Sequence, residues 1–69
     1  MRTHGWNGVV PHTDDEAVSR ILDAVREVST TSNERPTVAA VARELGVTRQ
    51  TVYRYFPDVD QLLLTAARR

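Results

Sequence analysis

The chain has 69 residues, 41% of them hydrophobic, with nine arginines, no lysine, nine acids and no cysteine. A chain this short buries only about 60% of its unfolded surface, so it is expected to be one domain whose core is shared by all its elements. The missing cysteines exclude disulfides and thiolate metal sites, and no apolar run approaches the roughly 20 residues of a membrane span.

The start, Arg2-Thr3-His4-Gly5-Trp6-Asn7-Gly8, is mixed and polar where a signal peptide needs an apolar segment, which fits a cytoplasmic location. Residues 1 to 12, with Gly5, Gly8 and Pro11 and no periodicity, are expected to form a flexible arm. Arg2 and His4 on it could reach a minor groove, should the domain bind DNA, but a disordered arm with no role is the favoured reading. Neither His4 nor His12 has a partner at a metal-ligand spacing, so no metal site is expected.

Thr13-Asp14-Asp15-Glu16 has the pattern of a capping box, in which Thr13 caps the amide of Glu16 and Glu16 reaches back to the backbone of Thr13. The adjacent acids also suit the positive end of a helix dipole, which accounts for them without catalysis. The first helix is expected to run to about Ser29, with Val18, Ile21, Leu22, Val25 and Val28 on one face. Ser29-Thr30-Thr31-Ser32-Asn33, residues that favour caps and turns, should close it.

Thr37 is the expected cap of a second helix carrying Val38, Val41, Ala42 and Leu45 at i, i+3, i+4 and i+7. Gly46 stands one residue past that stripe, where a left-handed backbone ends a helix at no steric cost. Thr48 is a suitable cap for a third helix starting near Arg49, and Pro57 ends it. Advancing about 100° per residue from a core-facing Val52, Phe56 falls on the same inner side, while Gln50 and Arg54 point outward, flanked by Thr51 and Tyr53. Arg49 leaves the core by lying in the first turn. A helix, a tight turn and a second helix with this polar outer face is the layout that places one helix in the DNA major groove.

Asp58 is the expected cap of a fourth helix with Val59, Leu62, Leu63 and Ala66 inward and Leu64 off the stripe. The fold class is therefore all-α, a small bundle of three helices with a helix-turn-helix plus a C-terminal fourth, over residues 13–69. Formal charge sums to zero but is uneven. Residues 1 to 34 hold three arginines against six acids, and residues 35 to 55 hold four arginines against Glu44 alone. Local charge governs the phosphate term, so the neutral total is compatible with DNA binding.

Thr37-Val38-Ala39-Ala40-Val41-Ala42, then Leu45-Gly46-Val47-Thr48, then Thr51-Val52-Tyr53-Arg54-Tyr55-Phe56, followed by Leu62-Leu63, resemble the N-terminal DNA-binding domain of the TetR family of transcriptional regulators. With the less specific Ile21-Leu22-Asp23-Ala24, the resemblance covers about residues 17 to 67. It departs from the family pattern at Val59, where a lysine is usual, at Ser29, where a phenylalanine is usual, and in Ser32-Asn33-Glu34-Arg35, which lacks the usual glycine. The resemblance implies a regulator, usually a repressor, that is a homodimer through a separate C-terminal ligand-binding domain. That domain is not in this sequence, which reads as an excised head expected to be monomeric.

Family pattern and face geometry together make Arg49, Gln50, Thr51 and Tyr53 the expected base contacts, and Thr37, Thr48, Arg54 and Tyr55 the expected contacts to the DNA backbone. The partner expected is double-stranded DNA, with no cofactor and no membrane. Thr48 to Pro57 also resembles the terminal head of serine recombinases and DNA invertases, which has three helices and ends soon after the proline. A stable fourth helix over 58 to 67 separates the two. A helical protein-interaction module is a further alternative, favoured by the neutral charge and by Leu64. Enzymatic function is not expected, because no nucleophile–base arrangement, Gly-rich phosphate loop or metal-spaced cluster is present.

Overall fold

The computed structural model describes residues 5–32 and 36–68. Arg2 and His4 lie outside the described residues. Along the chain come a short 3-10 turn over Trp6–Gly8 and four helices: α1 (Asp14–Ser32), α2 (Val38–Leu45), α3 (Arg49–Tyr55) and α4 (Val59–Arg68). No strand occurs among the described residues. The all-α bundle expected from the sequence is thus present, including its fourth helix.

α1 is the central element, packing against both α2 and α4, while α3 is held mainly by α2. Its buried residues are Ala17, Ile21, Leu22, Ala24, Val25 and Val28. Alanines at 17 and 24 let neighbouring elements approach closely between the larger branched side chains. Val18 is half-buried and packs at the edge of the core. The stripe Val38, Val41, Ala42 and Leu45 of α2 is buried throughout, as are Val52 and Phe56 behind α3. From α4, Leu62 enters the core at 1% exposure, with Val59, Leu63 and Ala66 packed around it.

The first helix departs from expectation at both ends. It continues to Ser32, three residues beyond Ser29, because the hydroxyl of Thr30 donates back to the carbonyl of Arg26 at 2.9 Å and is satisfied within the helix. At its start Thr13 does cap the amide of Glu16, at 3.1 Å. The return contact, however, is made to the amide of His12, which donates to Glu16 Oε1 at 3.1 Å, so the box closes one residue earlier than expected. The ring of His12 also stands 3.9 Å from that carboxylate, an exposed pair that contributes little.

Residues 5–12, expected to belong to a flexible arm, are instead anchored to the bundle. Trp6 is 7% exposed and belongs to the core. The guanidinium of Arg20 lies over its ring, 5.3 Å from the centroid, and donates to the carbonyls of Trp6 and Val9. One aromatic ring buries 150–250 Å², enough to dock a segment that has no helical or strand pattern of its own. The folded unit therefore begins before residue 13.

Where the family pattern has a phenylalanine, Ser29 is exposed and lines an open groove between α1 and α4, with Leu22, Val25, Pro36, Leu63 and Ala66. Leu64 stands out from α4 at 58% exposure. None of the helices, among the described residues, is long and apolar enough to cross a membrane.

Candidate nucleic-acid interface

The site begins with how α2 is started and stopped. Thr37 has extended backbone angles, and its hydroxyl accepts from the amide of Ala40 at 3.1 Å. Its carbonyl takes the amide of Val41 at 2.9 Å. By helix geometry the amides of Val38 and Ala39 have no acceptor within the helix and project from its start, at the positive end of the dipole. At the other end Gly46 adopts φ 72°, ψ 30°, the left-handed stop expected of it.

α3 then begins three residues later, at Arg49. Thr48 caps it, accepting from the amide of Thr51 at 3.3 Å, and the two threonine hydroxyls lie 3.1 Å apart. Val52 is fully buried and Phe56 is 8% exposed, so the helix is pinned from behind by the two residues assigned to its inner face. Arg49, Gln50, Tyr53 and Arg54 are exposed, Tyr53 at 45%. Among the described residues no carboxylate forms an ion pair with Arg49 or Arg54.

The eight expected contact residues fall into three groups. Thr37, Arg49 and Tyr53 line one open groove, formed where the start of α2, the outer face of α3 and the first turn of α4 meet. Thr48 and Thr51 are joined through their hydroxyls at the start of α3, and Thr51 is half-buried. Gln50 and Arg54 are exposed on α3 outside that groove, and Tyr55 is half-buried with its side chain packed on the core. Tyr55 is thus the most constrained of the eight, with only part of its ring facing solvent.

Asp60 also lines the groove. Its position beside Arg49 and Tyr53 follows from the packing of α4 against α1 rather than from any local pattern. Its backbone amide donates to Asp58 Oδ1 at 2.9 Å, so Asp58 caps α4.

Chemically, the groove and the face beside it combine backbone and side-chain N–H donors, a phenol, an amide and two guanidiniums, with one carboxylate at the edge. Such a set offers hydrogen-bond donors and positive charge to anions and to hydrogen-bonding edges. Comparison with known proteins agrees with this chemistry. Searches of curated proteins and of solved structures find no significant match. The family model described as "Bacterial regulatory proteins, tetR family" matches residues 21–66, which spans α2, the turn, α3 and most of α1 and α4. With two thirds of its length under that model and a capped helix-turn-helix at its centre, the chain belongs to the TetR family of DNA-binding transcription regulators.

Proposed function

We infer that this domain binds double-stranded DNA sequence-specifically, with α3 lying in the major groove, as the head of a regulator that acts as a repressor. The observation that carries this is the groove in which Thr37, Arg49 and Tyr53 meet. It joins an α2 start that offers amides and a hydroxyl to phosphate with an α3 face that offers side chains to bases, two kinds of contact that a helix-turn-helix makes together.

In this arrangement Arg49, Gln50 and Thr51 meet base edges, and Tyr53 meets a phosphate or a thymine methyl. Thr37, Thr48, Arg54 and Tyr55 hold the backbone. A guanidinium pairs in bidentate fashion with guanine and a side-chain amide with adenine, so Arg49 and Gln50 carry the most sequence information. Thr51 serves through the donor or acceptor capacity its hydroxyl keeps beside that of Thr48. Two-fold operators need paired heads, and pairing falls to a C-terminal domain that also takes the effector; the 69-residue head acts alone as a monomer of modest affinity. The setting is the cytoplasm, where the chromosome is.

The presence of α4, with Leu62 in the core, favours this over the recombinase-type head, whose three helices end soon after the proline. Selecting duplexes from a random pool tests the proposal. Enrichment of a defined motif whose affinity falls with salt supports it, and recovery of no preferred sequence overturns it.

A further inference from the structure

The N-terminal segment is left without a role by the contacts just described, and its placement is specific. α2 ends in a Schellman motif: the amide of Gly46 donates to Arg43 at 3.2 Å and that of Val47 to Ala42 at 2.9 Å. These bonds satisfy two carbonyls of the last turn and leave that of Glu44 beyond them, with no amide of its own helix to accept. The side-chain amide of Asn7 donates to Glu44 at 3.2 Å, from 37 positions away.

Asn7 is also pressed onto the turn itself. A Cβ at Gly46 would fall 2.7 Å from Asn7 Oδ1 and 3.2 Å from its backbone nitrogen. Asn7 holds φ 54° and ψ 34°, a left-handed conformation that asparagine tolerates better than most residues. Beside it the core anchors Trp6, and Arg20 clasps the carbonyls on either side. A strap fixed in this way delivers one amide to the turn between α2 and α3.

The geometry points to Asn7 as a positioning residue for DNA recognition. By completing the end of α2 and filling the space against Gly46, it fixes the angle at which α3 presents Arg49, Gln50, Thr51 and Tyr53. This rests on α3 being the helix that reads DNA. Base-edge contacts demand a fixed geometry, whereas phosphate contacts carry no sequence information, so loosening the turn lowers discrimination more than general affinity.

The test uses the whole 69-residue chain and two variants that both tolerate a positive φ. Asn7→Gly removes the donor and keeps the backbone; Asn7→Asp sets a carboxylate oxygen against the Glu44 carbonyl. Affinities are measured for a duplex selected by the wild type and for an unrelated duplex, over a range of salt, at a temperature where circular dichroism shows every variant folded. The ratio of the two affinities is expected to fall about threefold to tenfold in Asn7→Gly, the worth of one hydrogen bond, and further in Asn7→Asp. The salt slope on the unrelated duplex stays as in the wild type. In the free protein, residual dipolar couplings of the α3 amides, referenced to α1, shift in Asn7→Gly. Folded variants with wild-type ratios and couplings would show that Asn7 only stabilises the domain, overturning the proposal. A wild type that prefers no duplex overturns the DNA reading itself, and this proposal with it; the two failures are told apart by the wild-type measurement alone.

Discussion

At its start α2 is closed by a single hydroxyl, that of Thr37, and two amides are left facing outward. At its end three successive carbonyls are taken up, two by the amides of Gly46 and Val47 and one by Asn7 from the far end of the chain. The open end lies in the groove with Arg49 and Tyr53, and the closed end is the turn that aims α3. A helix can thus keep donors for a ligand at one terminus if the other terminus holds its position. The contrast separates residues that touch a partner from residues that set where the touching residues stand.

Breaking the closed end should have the largest effects. Trp6→Ala empties a core site and releases the strap, and is expected to cost about 3–5 kcal/mol, a large part of what a domain this small has; chemical denaturation monitored by circular dichroism measures it. Gly46→Ala combines a left-handed backbone with a contact of 2.7 Å to Asn7 Oδ1 and should cost about 2–3 kcal/mol. Adding Asn7→Gly to Gly46→Ala removes the side-chain part of that clash, so the double variant should be more stable than the sum of the two single changes. Additive losses in a double-mutant cycle would mean that the two residues do not press on each other.

At the open end the expected losses are smaller and fall on binding. Arg49→Ala should leave unfolding unchanged, since its side chain is exposed, and cost about 1–3 kcal/mol in binding with relaxed base preference. Equal affinity of wild type and variant for the selected duplex would remove Arg49 from the base contacts. Thr37→Ala should cost about 1 kcal/mol of stability through the lost cap and weaken selected and unrelated duplexes alike. A change in base preference in Thr37→Ala would move it from the backbone contacts to the base contacts.

Most of the bundle was legible because its signals are local. Thr37, Gly46, Thr48 and Asp58 act on amides and carbonyls a few residues away, Pro57 restricts the residue before it, and the stripes of α1, α2 and α4 follow from periodicity alone. The inward Val52 and outward Gln50 and Arg54 follow from about 100° per residue once a single inner position is set, and Arg49, nearer the inner side in angle, is exposed because it lies in the first turn. The strap was not legible for the opposite reason. Its residues show no period, and the partners of Asn7 and Trp6 lie far along the chain, so Gly5-Trp6-Asn7-Gly8 looks like a loose segment. The signal that was present is the tryptophan itself, a ring too large and apolar to be left in solvent without reason. The overrun of α1 past Ser29 has a different cause: residues that favour turns stay helical when a hydroxyl such as that of Thr30 finds a carbonyl one turn back.

The packing of Gly5 against Val47, whose Cγ1 would lie 3.3 Å from a Cβ at that glycine, has a practical consequence for anyone handling the protein. A tag joined directly to residue 5 would start at the flank of the inter-helix corner, so purification tags belong on the opposite terminus. Swapping a tag between termini and comparing duplex retardation is the cheapest way to learn how much room that corner leaves.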